Sequence, residues 1–144
     1  MLYSEQITIP ANTSESSLVS TSLKLSLGVI HTIWLTFPPG CCGFVKVRMS
    51  IDGHPFLPVH KDAYIKGDDY TFAFPVMFEI TDEPMTLTIE AWSTDSSYAH
   101  SIQVVVLVLP KKLILPAGAT EGILEGMKSL IIRPLVIQQT TEAD

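Results

Sequence analysis

The sequence predicts an all-β fold: an antiparallel β-sandwich, jelly-roll-like, with an extended C-terminal arm. Three observations carry that expectation. Several segments alternate apolar and polar residues with a period of two, as a strand with one buried face requires. Turn-forming clusters, "PPG", "DGHP", "KGDD", "TDEP" and "TDSS", separate these segments at short intervals. The length of 144 residues and a hydrophobic content of 47% suit one domain with a core of its own, without disulfide or metal staples.

Taken in chain order, "YSEQITI" reads as a first strand and "PANTSESS" as a polar loop of small residues. "SLKLSL" alternates, with Leu23, Leu25 and Leu27 directed inward. "VIHTIWLTF", from Val29 to Phe37, is rich in β-branched and aromatic residues, which suits a pleated surface. In "FVKVRMSI" the inward set is Val45, Val47, Met49 and Ile51, against Lys46, Arg48 and Ser50 outward. "MTLTIEAW" repeats the pattern with Met85, Leu87, Ile89 and Ala91. "HSIQVVVLVL" begins polar and turns apolar on both sides, as expected of a central strand or of one covered by a neighbouring subunit.

The sandwich domain is therefore expected over residues 1–110. Residues 111–144 are read as a C-terminal arm or edge strands: two short apolar extended segments, Leu113 to Leu115 and Leu130 to Ile137, flank a Gly-containing linker. Gly122 and Gly126 each cost about 1 kcal/mol relative to Ala inside a helix, so any helix there is short. The arm either folds back as edge strands of its own sandwich or pairs with an adjacent subunit by strand addition.

Composition excludes several classes of function. The net charge of −6, with nine scattered Lys and Arg, lacks the basic face that neutralises phosphates, so no nucleic-acid partner is expected. No apolar run approaches the roughly 20 residues of a membrane-spanning helix. "MLYSEQITIP" lacks the parts of a secretory signal, so folding in a reducing cytoplasm with free thiols is expected. The apolar surplus suggests contacts between subunits.

The stretch that looks most like chemistry is "FPPGCCGF". Cys41 and Cys42 are vicinal, and a bridge between neighbours needs a strained ring. A zinc site would need further soft ligands, and the chain has no other cysteine and no C-x-x-C. The pair is read as two small thiols at a tight corner. His54 and His60 share one loop region but sit in no ligand-type spacing, and His31 lies on a mostly apolar strand face, as a hydrogen-bonded core or interface histidine would. The carboxylates of "KGDDYTF" and "TDSS" lack the calcium-loop pattern and read as solvated turn residues. No nucleophile motif or paired-acid arrangement stands out. No enzymatic activity, metal or cofactor is expected.

Motifs in sequence order are "ITIPANTSES", "LGVIHTIWLTFPPGCCGFVKVRM", "GHPFLP" and "EPMTLTIEAWSTDSSYAHSIQVVVLVLP". Together, over about Ile7 to Pro110, they resemble small virion structural proteins of tailed bacteriophages. The resemblance implies a non-enzymatic subunit repeated on a particle, such as a capsid decoration protein, made in the host cytoplasm and resident in the virion. It implies as partners further copies of the chain, a trimer being favoured, and other virion proteins such as the major capsid protein. Candidate oligomer or shell contacts are Val104, Val105, Val106 and Leu107 on the last strand, with Leu113, Ile114, Leu115, Ile131, Ile132, Leu135 and Ile137 on the arm. Deleting Lys111 to Asp144 is expected to weaken assembly more than folding.

A different class of function is a carbohydrate-binding sandwich for host attachment. Trp34 and Trp92 each fall on the face opposite the main apolar positions of their strands, exposed or at an interface. The reading needs Trp34 or Trp92 together with one of the turn aspartates, Asp68, Asp69 or Asp95, on one exposed face, and Trp34, Trp92 and Asp95 are the candidate ligand residues.

Overall fold

A computed structural model of the chain describes residues 1–114. Ten strands run β1 (Leu2–Ile9), β2 (Val19–Leu25), β3 (Gly28–Phe37), β4 (Val45–Ile51), β5 (His54–Leu57), β6 (Ile65–Lys66), β7 (Tyr70–Phe74), β8 (Phe78–Ile80), β9 (Met85–Ser93) and β10 (His100–Leu109). A 3-10 turn, Glu15–Ser17, precedes β2, and one helical turn, Lys111–Ile114, follows β10. The strands form two antiparallel sheets, as the alternating pattern predicts.

The first sheet has the order β1-β10-β3-β7, with β8 also paired to β3; the second has the order β2-β9-β4-β5, with β6 also paired to β4. β7 covers the Ile33–Phe37 half of β3 and β8 covers Gly28–Ile30, so together they fill one strand position. β5 and β6 share β4 in the same way. Each sheet is thus four positions wide, and the antiparallel pairs nest: β1 with β10, β2 with β9, β3 with β7 and β8, β4 with β5 and β6. That nesting is the winding of a jelly roll.

The core lies between the sheets. Ile33, Leu35 and Phe37 of β3 and Ile102, Val104 and Val106 of β10 face Val45, Val47 and Met49 of β4 and Leu87, Ile89 and Ala91 of β9, all at 1% exposure or less. Each large aliphatic so buried contributes about 1.5–3 kcal/mol relative to exposure. The compact unit formed this way runs from Met1 to Leu109.

Turn chemistry sets the register. Asp52 and Gly53 both take positive φ, +46° and +84°, between Ile51 and His54, which pair directly. This two-residue hairpin has the left-handed geometry that Asp-Gly supplies. At the cysteine corner Gly40, Cys42 and Gly43 have φ of +97°, +48° and +75°, and the Phe44 N–H donates to the Cys41 carbonyl at 2.8 Å. Cys41 is fully buried in the core while Cys42 is exposed, and both thiols are free. Gly28 opens β3 at φ +149°, where a Cβ would lie 2.6 Å from the Leu109 carbonyl oxygen.

Three expectations are corrected, and one unexpected strand is added. Leu27 is 53% exposed, because β2 ends at Leu25 and the chain turns before Leu27 reaches the core. The segment from Tyr70 to Phe74, met in the sequence only as aromatics beside a carboxylate loop, is the edge strand β7. Leu113 and Ile114 belong to a helical turn, not an extended segment; the Leu113 N–H donates to the Pro110 carbonyl at 2.9 Å. Pro110 supplies the pre-set φ that starts such a turn, and Lys-Lys-Leu continues it. Asp95 is buried, not solvated. The remaining arm residues, Leu115, Ile131, Ile132, Leu135 and Ile137, lie outside the described residues.

Candidate functional site

The three candidate ligand-face residues fall on three separate places: Trp34 on the outer face of the first sheet, Trp92 on the outer face of the second, and Asp95 in the β9–β10 turn. β10 is the central strand that its two-sided apolar pattern predicts, flanked by β1 and β3. Alternation then divides its valines. Val104 and Val106 are fully buried in their own core and are removed as contact candidates, whereas Val105 and Leu107 are half-buried on the outer face. Register places Val105 between Ser4 and Trp34, with Ala73 beyond, and Leu107 between Leu2 and Thr32. Leu2 is 65% exposed. The result is an apolar patch where an outer face ordinarily alternates to polar residues.

A bulge lies at its edge. Leu107 pairs with Thr32 and Val108 with Ile30, so His31 is the extra residue of β3. Its Nδ1 lies 2.7 Å from the Thr32 hydroxyl, which satisfies a half-buried ring nitrogen.

The outer face of the second sheet has the opposite character. Lys46, Arg48 and Ser50 of β4 stand beside Trp92, Glu90 and Thr88 of β9, and Glu90 and Thr88 in turn beside Ser20 and Ser22 of β2. Arg48 Nε donates to Glu90 Oε2 at 2.5 Å and its Nη1 to Glu15 Oε1 at 3.0 Å. The guanidinium carbon stands 5.1 Å from the Trp92 ring centroid, and the Tyr64 ring meets Trp92 edge-on at 5.7 Å. The Glu90 hydrogen bond comes first among the effects that raise the Arg48 pKa, so the cation is firmly held. Trp92 is consequently only 4% exposed.

At the β9–β10 turn, Asp95 Oδ1 accepts the Ser97 N–H at 2.8 Å and the Tyr98 N–H at 3.3 Å, and Oδ2 lies 2.7 Å from His100 Nε2. The Asp95 carbonyl accepts the Asn12 N–H at 2.6 Å, tying the loop after β1 to this turn. The Ser97 N–H, then His100, hold the Asp95 carboxyl below the usual carboxylate range.

Trp34, Trp92 and Asp95 are therefore not brought together. Trp34 lies half-buried on the first outer face, Trp92 lies under Arg48 and Tyr64 on the second, and the Asp95 carboxylate is engaged within its own turn. Sequence reasoning missed the Arg48–Glu90–Glu15 group and the Asp95–His100 pair. The first had a signal, opposite charges at outward positions of two alternating strands. The second had none beyond an acidic turn residue five positions before a histidine. Among the described residues no group of three or more His, Cys, Asp or Glu is gathered as a metal ion would need, and no helix is long and apolar enough to cross a membrane.

No protein-family model and no curated protein matches the chain. Among solved structures it is similar to FlhE, at 13% identity and a TM-score of 0.36, over 74% of this chain and 94% of that one. It is also similar to a family two carbohydrate esterase from Cellvibrio japonicus, at 13% identity and a TM-score of 0.36, over 76% of this chain and 36% of that one.

Proposed function

We propose that the chain is a non-enzymatic structural subunit that works by docking on other proteins, first on copies of itself, as a decoration or other surface component of a virus particle. The observation that carries this reading is the asymmetry of the two outer faces. The second face is charged and hydroxylated, as a solvated face should be, whereas the first presents Leu2, Val105, Leu107 and Trp34 in one contiguous patch. A patch of that kind marks an interaction surface.

A second copy is the occupant that the chemistry favours. The patch has no charged residue in the rows Leu2–Leu107–Thr32 and Ser4–Val105–Trp34–Ala73, so identical surfaces meet without like-charge repulsion. The jelly-roll winding supports the virion part of the reading, because capsid subunits use that architecture repeatedly. Fold alone does not assign function, so the patch carries the weight.

The test is the mass of the full chain in solution by light scattering, beside Val105→Glu. A trimer or larger ring that dissociates in the variant, at unchanged thermal stability, is the expected result. A monomer in both would overturn self-association through this face.

A further inference from the structure

We propose that the outer face of the second sheet carries a saccharide-binding cleft, floored by Arg48, Ser50, Thr88 and Glu90. A cleft of about 500 Å³ opens above these residues. That volume lies inside the roughly 300–1,000 Å³ range of small-molecule sites. Glu15 of the 3-10 turn stands on one side, and Pro55, Pro58 and Lys61, from β5 and the loop after it, stand on the other.

Three features select the ligand class. The first is rigidity: Arg48 is fixed between two carboxylates and stacked on Trp92, on adjacent strands with little freedom left to lose on binding. The guanidinium and the Glu90 carboxylate place donors and acceptors side by side, which matches neighbouring sugar hydroxyls, each both donor and acceptor. The second is charge. Arg48 and Lys61, with His60 beside them, face Glu15, Glu90 and Asp62 around the opening, so an anion gains no net attraction from the site and a neutral polar ligand suits it. No cluster of the kind that holds a metal ion forms there among the described residues. The third is the wall: the rings of Pro55 and Pro58 offer apolar C–H surface, which the faces of a pyranose complement.

This site is separate from the apolar patch, which lies on the other outer face of the same sandwich. A subunit attached through the first face would hold this cleft toward the surroundings. The proposal stands whether or not the chain self-associates.

The test begins with an array of neutral, sialylated and sulfated oligosaccharides probed with the full chain. Calorimetric titration of the neutral binder follows, against Ser50→Trp, which fills the cleft from its floor, and Val105→Glu on the opposite face. Binding of a neutral glycan, weakened at least tenfold by Ser50→Trp and unchanged by Val105→Glu, is expected. Lys61→Trp, on a loop outside the core, narrows the cleft from its wall and provides the same reading if Ser50→Trp does not fold. Absence of any glycan binding, recognition of sulfated or sialylated glycans only, or full affinity in both cleft variants would overturn the proposal. Because Val105→Glu reads assembly and Ser50→Trp reads the cleft, failure of one reading is distinguishable from failure of the other.

Discussion

The two adjacent cysteines take opposite parts in one tight turn. Cys41 turns into the core and its thiol is pushed up to about 11, first by burial and then by Asp68, Cys42 and Asp95, while Cys42 sits outside at positive φ. Alkylation at pH 8 should therefore modify Cys42 in the folded protein and Cys41 only after denaturation; equal labelling of both, read by peptide mass, would contradict this. Asp95 gives a second prediction. The Ser97 N–H and then His100 hold its folded-state carboxyl below the ordinary aspartate range, so its contribution to stability is complete above that range and is lost as pH falls through the lowered value. Melting temperature should fall on acidification, and Asp95→Asn should melt lower at pH 6 and show a shallower fall. Parallel curves for the two proteins would assign the acid sensitivity to other carboxylates.

Among elements, β3 depends most on a single residue at its start. Gly28 combines φ of +149° with the Leu109 carbonyl oxygen at 2.6 Å from a Cβ, and Val108 Cγ1 at 2.9 Å. Neither the backbone nor a packed valine yields cheaply, so Gly28→Ala should cost about 2 kcal/mol or more, measured by urea unfolding. A loss under about 0.5 kcal/mol would mean that the entry to β3 relaxes freely. The strands that sequence reading located, β1, β2, β3, β4, β9 and β10, are those whose buried face gives a sustained alternation. β5 to β8 escaped it for a physical reason. They are two to five residues long, β5 contains Pro55, and they sit at sheet margins where Phe56, Phe72, Phe74 and Phe78 are only half-buried. Half-burial weakens the contrast that periodicity reads. The charged group on the second face left only a partial signal, the opposite charges of Arg48 and Glu90 at outward positions, because Glu15, Arg48 and Glu90 are distant in sequence and meet only once β4 and β9 are in register.

At the scale of the molecule, two layers present unlike surfaces to their surroundings. If the apolar face is the adhesive one, self-association should persist in high salt, because Leu2, Val105, Leu107 and Trp34 carry no charge to screen. Dissociation of the oligomer by sedimentation at 1 M NaCl would move the interface to the charged face. The nested winding has a further consequence, for the order of events in time. Leu2 pairs with Leu107 and Ile9 with His100, so the strand synthesised first waits for the strand synthesised last of the ten. Contacts of such sequence separation make closure slow, on the order of milliseconds to seconds, even when the finished structure is stable. Until β10 arrives, β1 and β3 each lack the neighbour between them, and the growing chain carries two unpaired hydrogen-bonding margins through most of its own synthesis.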